Sequence, residues 1–225
     1  MKISNFVRSA GTLTLINFAK KHNEKLTNSD IEAILELAPR VTDTIAALET
    51  EFGIRRPLTS EWKTATSTKN DADNDLDNEI ADMSYELLGP KLLAKDRNHP
   101  DYRALFPEGN ITFIYGPERE EATQVAAIIS YLENHPDHPM ADRAEVLTPL
   151  LDAFNASLKP MAAAESKLRA AQAKEGTARA ALAKVLRKNT AILRAEMMDE
   201  KKVEAYFPPI PSNPNNDDPP DDTSI

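Results

Sequence analysis

A chain of 225 residues with no cysteine has no disulfides, thiolate metal sites or cysteine nucleophiles, and at this length it folds as one elongated domain or as two small ones packed together. Nowhere does the sequence hold about 18 consecutive apolar residues, the minimum for a membrane-spanning helix, so no span is expected and a cytoplasmic location is the default. The net charge of −9 conceals a layout: residues 1–26 sum to +4, 27–158 to −14 and 159–204 to +5, and the remainder adds four aspartates and no base. Basic ends around an acidic middle suit an antiparallel bundle with complementary faces, and would also suit a basic helix free to meet a polyanion; the first reading is preferred because charge runs are usually solvated or internally paired.

Apolar residues recur every three to four positions nearly throughout, and the two-residue alternation of a half-buried strand is nowhere sustained. The N-terminal stretch with Ile3, Phe6, Val7, Leu13, Ile16 and Phe18 is interrupted by Arg8 and closed by Lys20 and Lys21. It reads as an amphipathic helix from Ser4 to Lys21 and not as a signal peptide. A second helix opens at Asn28, Ser29 or Asp30, carries Ile31, Ile34, Leu35, Ala38, Val41, Ile45, Leu48 and Phe52 on one stripe, and is expected to stop at Gly53. Pro39 inside that stripe predicts a kink or two short helices in line. A third helix from Thr59 or Ser60 presents Trp62, Ala65, Ala72, Leu76, Ile80, Met83 and Leu87 before Gly89-Pro90.

Residues 96–117 form the least regular region, with Ile111–Tyr115 as a strand-like run too short to make a sheet and expected to pack as an extended loop. A fourth helix spans Glu118 to Asn134, with acids in its first turn where the helix dipole favours them, and His135 to Pro139 breaks it. The last helical region begins near Met140, meets Pro160, and continues with Met161, Leu168, Ala171, Ala178, Leu182, Val185 and Ile192 at heptad-like spacing, Glu175 and Asn189 falling in the same coiled-coil-like seam. Alanine dominates 162–183, so the helix gains little area per residue and must lean on neighbours. From Pro208 the composition is proline, aspartate and almost nothing apolar, which predicts disorder. The string Tyr-Arg-Ala-Leu-Phe-Pro at 102–107 is echoed by Glu-Ala-Tyr-Phe-Pro at 204–208; a duplicated helical unit would explain the echo, but chance or a common way of ending a helix is the preferred reading.

The expected fold is all-α: an elongated bundle of five or six helices with a long C-terminal helix and a disordered acidic tail. Residues 1–207 make the bundle, with halves 1–95 and 118–207 joined by the irregular linker 96–117 as the alternative division, and 208–225 make the tail.

Few strings carry chemistry. Asp71, Asp73 and Asp75 with Asp82 resemble ligand positions of an EF-hand calcium loop, but Leu76 stands where that loop needs glycine and Asn78 where it needs an apolar residue. The apolar spacing of Ala72, Leu76, Ile80 and Met83 runs through the string as a helix. His135-Pro136-Asp137 between two helices resembles the turn of J-domain co-chaperones, which implies a Lys/Arg-rich preceding helix docking on an acidic Hsp70 surface; residues 120–134 contain no base. His22, His99, His135 and His138 show no metal-ligand spacing, no Gly-x-Ser-x-Gly elbow is present, and the six glycines stand singly, so no phosphate-cradling loop exists. No catalytic, metal or cofactor residue is nominated.

These exclusions leave a non-enzymatic interaction or structural role, with the seam Leu168, Ala171, Ala178, Leu182, Val185, Asn189 and Ile192 contacting a helix of its own chain, of a second copy or of another protein. Asn189 in an apolar seam would set register at some cost in stability. The alternative is a nucleic-acid-associated protein using the basic face of 174–194, with Lys184, Arg187, Lys188 and Arg194 as polyanion contacts; the pI near 5.0 and the absence of aromatics from 161 to 205 count against it. A helical enzyme with inward-facing acids or histidines is the third reading.

Overall fold

A computed structural model of the chain describes residues 6, 7, 9–107 and 118–210. The 3.6-residue apolar period becomes helix throughout: α1 (Thr12–Thr27), α2 (Glu32–Leu35), α3 (Ala38–Leu87), α4 (Pro100–Leu105), α5 (Glu118–Asn134), α6 (Arg143–Met197) and α7 (Glu200–Ala205), with no strand among the described residues. The strand-like run Ile111–Tyr115 and the tail from 211 onward lie outside them; Pro208 is buried behind Phe207 and continues the packed chain.

Two expected boundaries are corrected. The first helix does not run from Ser4 to Lys21: the chain breaks at Gly11, whose ψ of 159° is extended, and α1 then continues to Thr27. Gly53 does not stop a helix, and Thr59 does not start one, because α3 runs unbroken for 50 residues through Gly53 and Pro57. Pro39 falls in the first turn of α3, where its missing N–H costs nothing, and the short α2 lies just before it. Pro57 lies deep inside α3, and Pro149 and Pro160 lie inside α6. Each frees the carbonyl four residues earlier, and those residues, Gly53, Glu145 and Ala156, are all exposed, so water satisfies the orphaned oxygens.

Gly53 and Gly176 have nothing within 4 Å of where a Cβ would stand, whereas at Gly89, which closes α3, the Cβ would meet the Glu86 carbonyl oxygen at 2.8 Å. Gly53→Ala and Gly176→Ala are therefore each expected to raise stability by about 0.5–1 kcal/mol, as alanine does over glycine inside a helix. Gly89→Ala is expected to lower it. Urea denaturation of the three variants checks the opposite signs.

The chain divides into two compact units, residues 1–59 with 167–225 and residues 60–166. The division does not coincide with halves 1–95 and 118–207, because α3 and α6 each give one part to one core and one part to the other. The first unit buries Phe6, Leu15, Phe18, Leu26, Ile34, Val41, Leu48, Leu182, Leu186, Leu193 and Phe207. Lys20 pairs with Glu49 at 2.6 Å and Asn23 donates to Thr42 at 2.9 Å, so α1 and the start of α3 are antiparallel.

The second unit buries Leu76, Ile80, Met83, Leu87, Tyr102, Phe106, Val125, Leu132, Leu147 and Phe154. There Arg143 of α6 holds Glu79 at 2.8 Å and also Glu86, while Lys69 lies 5.8 Å from the Phe154 ring centre. These pairs set α3 and α6 antiparallel in this unit as well. The repeated Phe-Pro ending follows a six-residue helix in each unit, α4 capped by His99 and α7 by Asp199, and drops Phe106 and Phe207 into the respective cores.

Candidate interaction surface

In the first unit α6 has two sides with different tasks. Its inner side packs on α1 and α3 and carries two polar layers, at Glu175 and at Asn189, about 21 Å apart along the helix at 1.5 Å per residue.

At the first layer the Thr12 hydroxyl donates to Glu175 Oε1 at 2.6 Å, and Arg55 Nε of α3 lies 2.5 Å from Glu175 Oε2. One turn further along α6, Arg179 donates to Thr12 Oγ1 at 3.1 Å, to the Val7 carbonyl at 3.3 Å and to the Ala10 carbonyl. The arginine so caps the short turn that ends at Gly11, placing positive charge where helix carbonyls are unpaired.

At the second layer His22 of α1 links α6 to the end of the chain. Its Nδ1 lies 2.8 Å from the Tyr206 carbonyl and its Nε2 lies 3.2 Å from Asn189 Nδ2. Because a carbonyl only accepts, Nδ1 carries the proton and Nε2 accepts from Asn189, the neutral tautomer. The ring stacks on Phe207 with centroids 4.1 Å apart. Burial pushes His22 down from 6.5 to about 4; the bond to Tyr206 opposes that shift and the Lys25 charge adds to it. Lys25 donates to the Ala205 carbonyl at 2.6 Å and the Phe207 carbonyl at 3.0 Å, and Ser29 meets the Tyr206 hydroxyl at 3.0 Å.

The seam residues named from heptad spacing lie on this inner side. Leu168, Ala171, Leu182, Val185 and Asn189 are buried and Ala178 and Ile192 half-buried, so the chain's own packing occupies them. Heptad counting identified Glu175 and Asn189 as polar seam members, but not Leu186, Leu193 or the partners Thr12, His22 and Arg55, because those partners are more than a hundred residues away in sequence.

The outer side differs. Lys174, Gly176, Thr177, Ala180, Ala181, Lys184, Arg187, Lys188, Ala191 and Ala195 are all exposed, and Glu175, the one acid of α6 between 167 and 195, points inward. Lys184 and Lys188 have no ion-pair partner among the described residues, Arg187 Nε donates to the Ala183 carbonyl of its own helix at 3.2 Å, and Arg194 is engaged by Glu200 at 2.7 Å. Of the four nominated polyanion contacts, three remain available and Arg194 is already paired.

The acidic string of α3 is helical. Asp71, Asp73 and Asp75 therefore fan out at about 100° per residue and cannot converge as a calcium loop would. Asp73 pairs with Lys69 at 3.0 Å, and burial, reinforced by Asp73, raises Asp77 above the usual carboxylate range. No group of three or more His, Asp or Glu able to hold a metal occurs among the described residues. His135 ends α5 locally, with Nδ1 2.7 Å from the Tyr131 carbonyl and its ring stacked 4.0 Å from that tyrosine.

Among the described residues no helix is long and apolar enough to cross a membrane. The class these features define is an all-helical protein with bundle-like packing, a polar-layered inner seam and a basic outer face on α6. Comparison with models of known families, with characterised proteins and with solved structures returned no match.

Proposed function

We propose that this chain is a non-enzymatic helical interaction protein, and that the outer face of α6 is the surface it offers to a protein partner bearing acidic groups. The observation that carries this reading is the contrast between the two sides of one helix: the inner side is consumed by the chain's own core, and the outer side is exposed, free of acids from 167 to 195 and studded with Lys184, Arg187 and Lys188. Its intervening residues are mostly alanine, which buries little apolar area, so charge and close backbone approach do the recognising. Such a contact is salt-sensitive and reversible, because the charges are solvated and screened within about 8 Å at physiological ionic strength.

Removing 161–205 would not test this, since it takes Leu182, Val185, Leu186, Leu193 and Val203 out of the first unit's core. Charge reversal at K184E, R187E and K188E alters only exposed groups and is expected to leave stability within about 0.5 kcal/mol per site. A photo-crosslinking residue placed at Ala191 in cells is expected to give discrete protein adducts that disappear in the triple variant, while the same probe at exposed Ala127 of α5 gives none of them. Adducts unchanged by charge reversal, or none at Ala191, would remove the proposal.

The three available cations also favour a second reading, contact with a nucleic acid. Size-exclusion chromatography with light scattering and absorbance at 260 and 280 nm separates the two: excess 260 nm absorbance that vanishes in high salt and in the triple variant favours the polyanion. A dimer at low salt that dissociates in high salt would instead favour self-association.

A further inference from the structure

The exposed faces of α3 and α6 carry one spacing in opposite directions. Read backwards from Lys188, the outer stripe of α6 is Lys188, Lys184, Ala181, Thr177 and Lys174, in steps of four, three, four and three residues. Read forwards from Asp71, an exposed stripe of α3 is Asp71, Asp75, Asn78, Asp82 and Tyr85, in the same steps. At about 100° and 1.5 Å per residue, each set stays within about 80° of arc and is about 21 Å long, so each is one continuous face. The α3 stripe belongs to the unit of residues 60–166 and the α6 stripe to the unit of 1–59 with 167–225. None of Lys174, Lys184, Lys188, Asp71, Asp75 and Asp82 enters an ion pair among the described residues, and α3 has no Lys or Arg from 70 to its end at Leu87. Tyr85 is 84% exposed, an aromatic ring left to water at the end of the acidic stripe.

We propose that the acidic partner of the basic face is a second copy of this chain, whose α3 stripe lies antiparallel along the α6 stripe. The inference rests on the reading of that face as a docking surface and names its occupant. The antiparallel register sets Lys188 against Asp71, Lys184 against Asp75 and Lys174 against Tyr85, with the short Ala181 and Thr177 opposite Asn78 and Asp82. A parallel alignment from Lys174 fails, because Asp75 and Asp82 would then meet half-buried Ala178 and buried Val185. Charge complementarity chooses the partner: one stripe has three cations and no acid, the other three acids and no base. Lys174 over the Tyr85 ring adds a cation–π contact, and Ala181 lets the two helices come close. Solvated ion pairs contribute little each, so the contact is weak, reversible and filled at high local concentration.

The absence of cysteine makes a direct test simple. A nitroxide is placed on Ala191→Cys or Ala173→Cys, both exposed and just beyond the two ends of the α6 stripe, in full chains of natural isotope content. These are mixed with unmodified nitrogen-15 chains, so every signal lost reports contact between copies. At low salt and about 1 mM protein, a concentration suited to solvated ion pairs, the amides of 68–88 are expected to lose about half their intensity relative to those of α1. The Ala191 label should act most around Asp71 and the Ala173 label most around Tyr85. The loss is expected to vanish in 0.5 M salt, where charges are screened beyond about 4 Å, and when the spin-labelled chains also carry K184E/K188E. It is expected to return when those K184E/K188E chains meet nitrogen-15 chains carrying D71K/D75K. No loss on α3, the reversed order of the two labels, or no return with the exchanged charges overturns the assignment. Its failure is separable from failure of the docking surface. Adducts at Ala191 that need Lys184, Arg187 and Lys188 but are untouched by D71K/D75K/D82K overturn the second copy and leave the surface standing with another protein on it.

Discussion

Replacing Glu175 by alanine is expected to destabilise the protein by about 3 kcal/mol, the low end for breaking a buried ion pair because Arg55 keeps 29% of its side chain exposed. The loss comes less from the missing attraction than from what stays behind. The Thr12 hydroxyl loses its acceptor and Arg55 faces the core side of α6 without a counter-ion, while Arg179 keeps its contacts to Thr12 and to the backbone carbonyls of Val7 and Ala10. Thr12→Val, which removes the hydroxyl between Glu175 and Arg179 at nearly constant shape, is expected to cost about 1–2 kcal/mol, and the double variant less than the sum, since both act on one network. Denaturant titration of the single and double variants measures this. A Glu175→Ala change within experimental error of the parent would show that the layer contributes nothing to folding.

Acidification is expected to weaken the protein through His22. Its folded value is about 4 against 6.5 for the free side chain. Between those values the unfolded chain takes up a proton that the folded chain refuses, so the contribution is fully present above pH 6.5, falls as pH drops toward 4, and is lost below it. The whole swing is about 3 kcal/mol at 1.36 kcal/mol per unit. Structurally, a second ring proton on Nε2 would confront the Asn189 amide donor and add charge next to Lys25, in a ring that is fully buried and stacked on Phe207. In His22→Gln the difference from the parent should be largest at pH 7 and shrink toward pH 4. Comparing the two proteins cancels groups common to both, such as Asp77. Parallel stability curves across pH 4–7 would count against a buried neutral His22.

Both layers act on register. Glu175 and Asn189 stand two heptads apart on α6 and meet Thr12 and His22, ten residues apart on α1, so α1 and α6 run parallel and cannot slide without stranding a buried polar group. That constraint also sets which residues of α6 face outward. Had the helix turned by one position, Glu175 would neutralise the basic face and Lys174 or Lys184 would be driven toward the core. The buried pairs therefore bear on the interaction surface although they do not touch it.

By itself the sequence determined the features that depend on near neighbours: helix as the sole regular structure among the described residues, α5 from Glu118 to Asn134, the stop at Gly89-Pro90, the helical rather than loop-like nature of the 71–79 acids, and the seam in which Glu175 and Asn189 sit. These follow from the 3.6-residue period, cap residues and proline geometry, all local. The continuity of α3 through Gly53 and Pro57, and of α6 through Pro149 and Pro160, was decided by the tertiary structure, because a breaker is tolerated where its freed carbonyl faces water, and burial is not a local property. Likewise only the fold brought Thr12 and Arg55 to Glu175 and His22 to Asn189, pairs separated by more than a hundred residues. It also sorted the cations of α6, committing Arg179 to the inner network and Arg194 to Glu200 while leaving Lys184, Arg187 and Lys188 outward. Spacing lists which charges a helix carries; the neighbours that cover one side of it decide which of them remain to meet a partner.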